Sequence, residues 1–179
     1  MSNASNIVRY WRDAGPAKWF AKNDAFDADL RARFEAAHMA AARGELAAWE
    51  DDAEGALALL LLTDQFPRNM YRGTAHAFAT DPLARAIASR AIARGFDQAV
   101  EESLRVVFYL PFEHSEDGRD QARCRALMET LSDRDWLKWA DVHADIIARF
   151  GRFPHRNAAL ARASTAEEIA FLSDGGFSG

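Results

Sequence analysis

A chain of 179 residues, 49% hydrophobic and 27% charged, is long enough to bury a core without a metal or a disulfide. A net charge of −5 with scattered arginines argues against a nucleic-acid partner, whose binders carry a concentrated basic face. One cysteine rules out an intrachain disulfide and points to a reducing compartment.

Helical spacing runs through the sequence, and no period-2 alternation marks a strand. A first short helix carries Ile7, Tyr10 and Trp11 and stops at Gly15-Pro16. A second, from about 27 to 43, has Leu30, Phe34, Ala37 and Ala41 as its apolar stripe and Gly44 as its stop. The third, from about 45 to 66, contains four consecutive leucines, Leu59–Leu62, so it is apolar on every side and central; Pro67 is expected to end it. Asp81-Pro82 reads as an N-cap followed by a first-turn proline, leading Leu83, Ile87, Ala91 and Ile92 to a stop at Gly95. Val100, Leu104, Val107 and Phe108 mark a helix expected to stop before Pro111. The next, from about 117 to 131, places Cys124 with Leu127, Met128 and Leu131, the pattern of a core thiol. A helix from about 133 to 150 carries Trp136, Ala140, His143 and Ile147 and closes at Gly151. Thr165 with Glu168 forms a capping box before Ile169 and Leu172. The expectation is one all-α domain over 1–179, built of antiparallel helical hairpins, with 1–6 and 173–179 irregular. The N-terminus lacks signal-peptide features, and the apolar run Ala56–Leu62 is too short to span a bilayer, so a cytoplasmic location is expected.

Three polar segments interrupt this pattern: DQFPRN, LPFEHSED and GRFPHRN. Asp64 ends a leucine-rich helix, where a carboxylate needs a partner. Arg68 lies four residues on, but Pro67 between them removes any guarantee of helical geometry. Asp64 is thus either one end of a buried strut or part of a site. Glu113 and His114 have the chemistry of a general acid–base pair or of metal ligands. Ser115, Glu116 and Asp117 read more simply as a helix cap with first-turn acids. His143 lies on an apolar helix face, either as a hydrogen-bonded core residue or as a proton carrier. His155, Arg156 and Asn157 follow a proline turn that echoes Phe66-Pro67-Arg68-Asn69. There is no HExxH, no cysteine-rich spacing and no GxSxG, so no metal, cofactor or serine nucleophile is expected. Arginine forks suit a small anion.

The stretches DQFPRNMYRGTAHAFATDPLA, LPFEHSEDGRDQ and HADIIARFGRFPHRNAALARASTAEEIAFL resemble the bacterial domain of unknown function 924 family, and the likeness runs from about Ile7 to Leu172. Where that family commonly has leucine before DQFPRN, this chain has Thr63; where a glycine often follows FPHRN, it has Ala161. The resemblance implies an all-α fold similar to the tetratricopeptide-like helical superfamily, and carries no activity over. Its recurring polar positions correspond to Asp64, Gln65, Arg68, Asn69, Glu113, His114, Glu116, His143, Phe153, Pro154, His155, Arg156 and Asn157.

Two functions compete on these residues, beside a purely structural reading in which the segments only hold the fold together. One is a small-molecule site for an anionic metabolite, with Glu113, His114 and His143 handling protons and Asp64, Arg68, Asn69, His155, Arg156 and Asn157 holding the ligand. The other is a helical protein-interaction module in which the same segments are internal struts.

Overall fold

Asn3 accepts the Asn6 amide on its side-chain oxygen at 2.9 Å and so starts α1 (Ala4–Ala14) ahead of its first apolar residue. Residues 4–6, expected to be irregular, are therefore helical; residues 1 and 2 lie outside the 3–178 that the computed structural model describes. Gly15 turns the chain at φ 74° into the short α2 (Pro16–Trp19). Asn23 caps α3 (Asp24–Ala42), which thus begins a turn earlier than its stripe suggests. No strand occurs among the described residues, and the fold is all-α. No helix among them is long and apolar enough to cross a membrane.

The chain forms two compact units. Unit 1 runs through Arg72 and resumes over His76–Pro111; unit 2 comprises Gly73–Ala75 and the chain from Phe112 onward.

In unit 1, α4 (Ala53–Leu60) is the central helix and packs against α1 and α6 (Asp81–Ala93). Leu57 and Leu59–Leu62 are at most 3% exposed. Each such side chain contributes roughly 2 kcal/mol of burial. Around them stack Trp11 and Trp19, with centroids 5.2 Å apart, and Phe66, 5.7 Å from Trp11. A 3₁₀ turn over Ala47–Asp51 lies so close to α4 that a Cβ on Gly55 would overlap the Trp49 carbonyl.

Pro67 does not end the helical path. The chain widens into a π-turn over Leu61–Gln65 and resumes as α5 (Phe66–Met70), with Pro67 in its first turn. The Phe66 amide reaches back five residues to the Leu61 carbonyl. Pro67 has no N–H to donate, so the carbonyls before it need other partners. Side chains supply them. His38 Nδ1 donates to the Leu62 carbonyl at 2.8 Å, the Thr80 hydroxyl to that of Thr63 at 2.6 Å, and Arg68 to that of Asp64 at 2.7 Å. A second proline behaves similarly. Pro111, expected to follow a helix, lies inside α7 (Glu102–Glu113) near its end.

In unit 2, α8 (Gly118–Met128) packs on α9 (Asp135–Phe150). The end of α7 is closed by Gln121, whose amide donates to the carbonyls of Glu113 and Ser115 at 2.7 Å each. Cys124 is fully buried, and burial pushes its thiol pKa up, so it is an inert core residue. Gly151 ends α9 in the left-handed conformation. Ile146, Ile147 and Phe153 form a core with Phe150, Phe171 and Phe177 against it. The Thr165–Glu168 capping box is complete and opens α10 (Ala166–Ser173).

Candidate functional site

The DQFPRN residues lie in unit 1, where their side chains form a clasp. Asp64 is fully buried at the π-turn and accepts the Gln65 side-chain amide nitrogen at 2.7 Å. Arg68 Nη1 lies 3.3 Å from the Asp64 carboxylate, despite the intervening proline. The backbone stays right-handed helical at Gln65 and Phe66, so the i,i+4 spacing survives with Pro67 in the first turn of α5. Arg68 also forms a bidentate pair with Asp81, at 2.9 and 3.0 Å. Asp81 is therefore not the N-cap its position suggests; Thr80 takes that place, and the Asp81 carboxylate is given to Arg68. Asn69 donates to Asp27 at 2.8 Å, and Arg72 donates to the other oxygen of the same carboxylate.

Unit 1 also holds two histidines that sequence reasoning passed over. His38 is fully buried, and its Nε2 is 2.9 Å from His76 Nε2. Because His38 Nδ1 must donate to a carbonyl, the neutral His38 ring presents a lone pair at Nε2, and His76 donates to it. Burial, and secondarily the neighbouring His76, hold the His38 pKa below its ordinary value, against the Leu62 carbonyl bond. The Tyr71 ring lies 4.0 Å from His76, and its hydroxyl donates to Glu35. Burial and that carboxylate push the Tyr71 phenol up to about 12. The available signal was the spacing Leu30, Phe34, His38, which puts His38 on the apolar stripe of α3.

Unit 2 gathers the remaining candidates. Glu113 and His143 are only 4% and 6% exposed, and Glu113 Oε1 is 3.7 Å from His143 Nδ1, within ion-pair reach when the ring is protonated. His143 Nδ1 donates to the Trp139 carbonyl at 2.8 Å. That bond selects the neutral tautomer with its lone pair on Nε2, the form a proton acceptor needs. His114 and Phe153 lie 6.4 and 5.5 Å from the His143 ring, and His155 5.6 Å from Phe153. The guanidinium of Arg156, itself 6% exposed, stacks 4.4 Å above Phe153.

Two networks fix the GRFPHRN turn. Glu168 takes Arg152 through both oxygens, at 2.6 and 2.8 Å, and also accepts the Asn157 side chain and the Thr165 amide. Arg152 and the Thr165 amide hold the Glu168 carboxyl down to about 2. Asn157 thus supports the turn, and its oxygen accepts from Arg162. Glu116 accepts the Phe153 amide at 2.8 Å and pairs with Arg162 at 2.7 and 3.0 Å. Burial raises the Glu116 pKa, but the Arg162 and Phe153 bonds outweigh it and hold it below the usual range. Glu116 is therefore not a first-turn acid. Asp117 caps α8 by accepting the Arg119 amide, so the helix starts late enough to leave Glu116 outside it. Ser115, also read as a cap, donates to Asp120. Among the described residues no group of three or more His, Cys, Asp or Glu is arranged to hold a metal ion.

These features define an all-helical protein with one arginine clasp in unit 1 and a histidine–glutamate cluster in unit 2. The chain belongs to the family described as bacterial protein of unknown function (DUF924), whose model matches residues 7–176. It is similar to the solved structure of a protein of unknown function from Agrobacterium tumefaciens, at 56% identity, TM-score 0.93, and 96% and 97% coverage of this chain and that one. No curated protein matches it.

Proposed function

We propose that unit 2 binds a small anionic metabolite at the cluster of Glu113, His114, His143, His155 and Arg156, with His143 as the proton acceptor. The observation that carries this reading is the buried His143 ring, oriented by the Trp139 carbonyl with Glu113 beside it. A carboxylate and a second imidazole beside a buried, oriented histidine suit proton transfer on a bound ligand. Arg156 supplies the fixed positive charge that a carboxylate or phosphate would pair with. A cytoplasmic location is part of the proposal, supported by the single, buried cysteine.

A thermal-shift screen with phosphate, nucleoside monophosphates and di- and tricarboxylates tests it. A ligand at a hundred times its Kd should stabilise the fold by about 2.7 kcal/mol. Arg156→Met and His143→Asn should abolish the shift while leaving the helical circular dichroism intact. If no anion shifts the melting temperature, the reading is lost.

The interaction-module reading is favoured by a different observation. Asp64, Arg68 and Asn69 are engaged with Gln65, Asp81 and Asp27 inside unit 1, as struts would be. A pull-down that recovers one stoichiometric partner, with a silent anion screen, would select it.

A further inference from the structure

We propose that residues 174–178 form a lid over the unit 2 cluster, with Phe177 as the side chain that shuts it; this builds on the binding reading above. The Phe177 ring lies 4.6 Å from the His143 ring, edge to face, and 5.3 Å from that of His155. It also approaches Trp139 at 6.4 Å. Phe177 thus covers the imidazole whose tautomer is set for accepting a proton. With His143 6% exposed and Glu113 4% exposed, a ligand reaches them only if part of the surround moves.

The surround differs in how firmly it is held. His143 sits within α9, and the 153–157 turn is clamped by the Glu116 and Glu168 networks. The segment after α10 lies outside any helix, and Gly175, its second residue, turns it at φ +82°. Its seat is closely fitted. The Gly176 amide donates to the Phe171 carbonyl at 2.9 Å, and a Cβ on Gly176 would come within 2.5 Å of that oxygen and 2.6 Å of the Phe171 ring. The Gly176 bond, with the Gly175 amide donating to the Leu172 carbonyl, is the paired cap that ends α10, so unseating frays that cap and spares the helix body, and the Phe177 ring is what holds the segment on the cluster.

The test needs no ligand. Carbethoxylation of the full chain by diethyl pyrocarbonate is followed at each histidine by mass spectrometry, with His76 as the internal reference. Phe177→Ala should speed modification of His143 by about tenfold relative to His76, since the rate scales with the fraction open. Gly176→Ala, which unseats the lid with the Phe177 ring intact, should act in the same direction and decides the matter if Phe177→Ala fails to fold. In the unaltered protein, the Gly176 amide should exchange its hydrogen about tenfold or more faster than the amides of Ile169–Leu172, because the lid opens without α10 unfolding. An unchanged His143 rate in Phe177→Ala, or Gly176 exchange no faster than that of α10, overturns the lid. A silent anion screen would remove the binding reading and leave these results standing, and the reverse also holds.

Discussion

The two FP-containing turns use similar letters for different ends. In unit 1, Pro67 sits in a continuous helical path that widens into a π-turn, and the arginine of FPRN clasps two buried carboxylates. In unit 2, α9 stops at Gly151, and the chain restarts at Pro154 in a 3₁₀ turn. There the arginine of FPHRN stacks on an aromatic face, while Arg152 and Arg162 take the carboxylates of Glu168 and Glu116. The lesson is one of division of labour. Unit 1 commits its motif arginine to holding a π-turn together. Unit 2 sets Arg152 and Arg162 on its carboxylates and lays Arg156 on the Phe153 ring, near enough to Glu116 to help hold that carboxyl's pKa down.

The largest expected effect breaks the unit 1 clasp. Arg68→Met removes the cation shared by the Asp64 and Asp81 carboxylates, and breaking a buried ion pair costs roughly 3–5 kcal/mol. Arg156→Met, whose apolar stem can still cover the Phe153 ring, should cost less than losing a cation shared by two buried carboxylates, which urea denaturation of the two variants would show. Equal losses would mean that both arginines are struts and would erase the contrast. Next is Gly55→Ala, whose methyl must displace the Trp49 backbone; overpacking of this kind costs about 1–3 kcal/mol, read from the same denaturation curves.

The units should also part company in acid. Burial lowers the His38 pKa from 6.5, so as pH falls below 6.5 the unfolded chain takes up a proton before the folded one does. Stability is lost from there down to the folded pKa and then levels off. Protonation at His38 Nε2 would also set two N–H groups against each other at the His76 contact. Glu168 in unit 2 is held down to about 2 from 4.5, so its contribution is full above 4.5 and is lost only between about 4.5 and 2. Hydrogen exchange measured from pH 7.5 to 4 should therefore show α3 and the π-turn weakening first. His38→Asn should flatten that slope; an identical slope would remove His38 as its cause.

Much of the helical framework was legible because it rests on local rules. The Leu59–Leu62 run announced a central helix, and Thr165 with Glu168 announced a capping box that forms in full. The prolines misled. A helix is expected to stop at Pro67 and before Pro111, yet it continues because a missing amide can be offset by a π-turn or placed in a final turn. The supply of substitute donors from His38 and Thr80 is a tertiary event with no local signature. Candidate residues were legible by type rather than by partner. Glu116 read as a helix acid because Ser-Glu-Asp satisfies the same capping rule one or two residues either way; only the position of Asp117 decides it. Phe177, in a glycine-rich stretch, carried no pattern at all.

Ala161 offers the smallest effect, and one of opposite sign. The Arg162 amide bonds the Asn157 carbonyl at 2.8 Å, and the Ala161 amide bonds that of Ala158, the paired pattern that ends a helical turn with a left-handed residue. Ala161 holds that place at φ 53°. Here the resemblance leads one to expect glycine, and the backbone gives the reason. Left-handed geometry costs a residue with a Cβ roughly 1–2 kcal/mol, while glycine loses roughly 0.5–1 kcal/mol more freedom on folding. Ala161→Gly should therefore stabilise the fold by about 0.5–1 kcal/mol in urea denaturation. The turn it relaxes is the one that swings Arg162 onto Glu116 and Asn157. A loss of stability would show that the Cβ is accommodated there and that Arg162 reaches Glu116 through an unstrained turn.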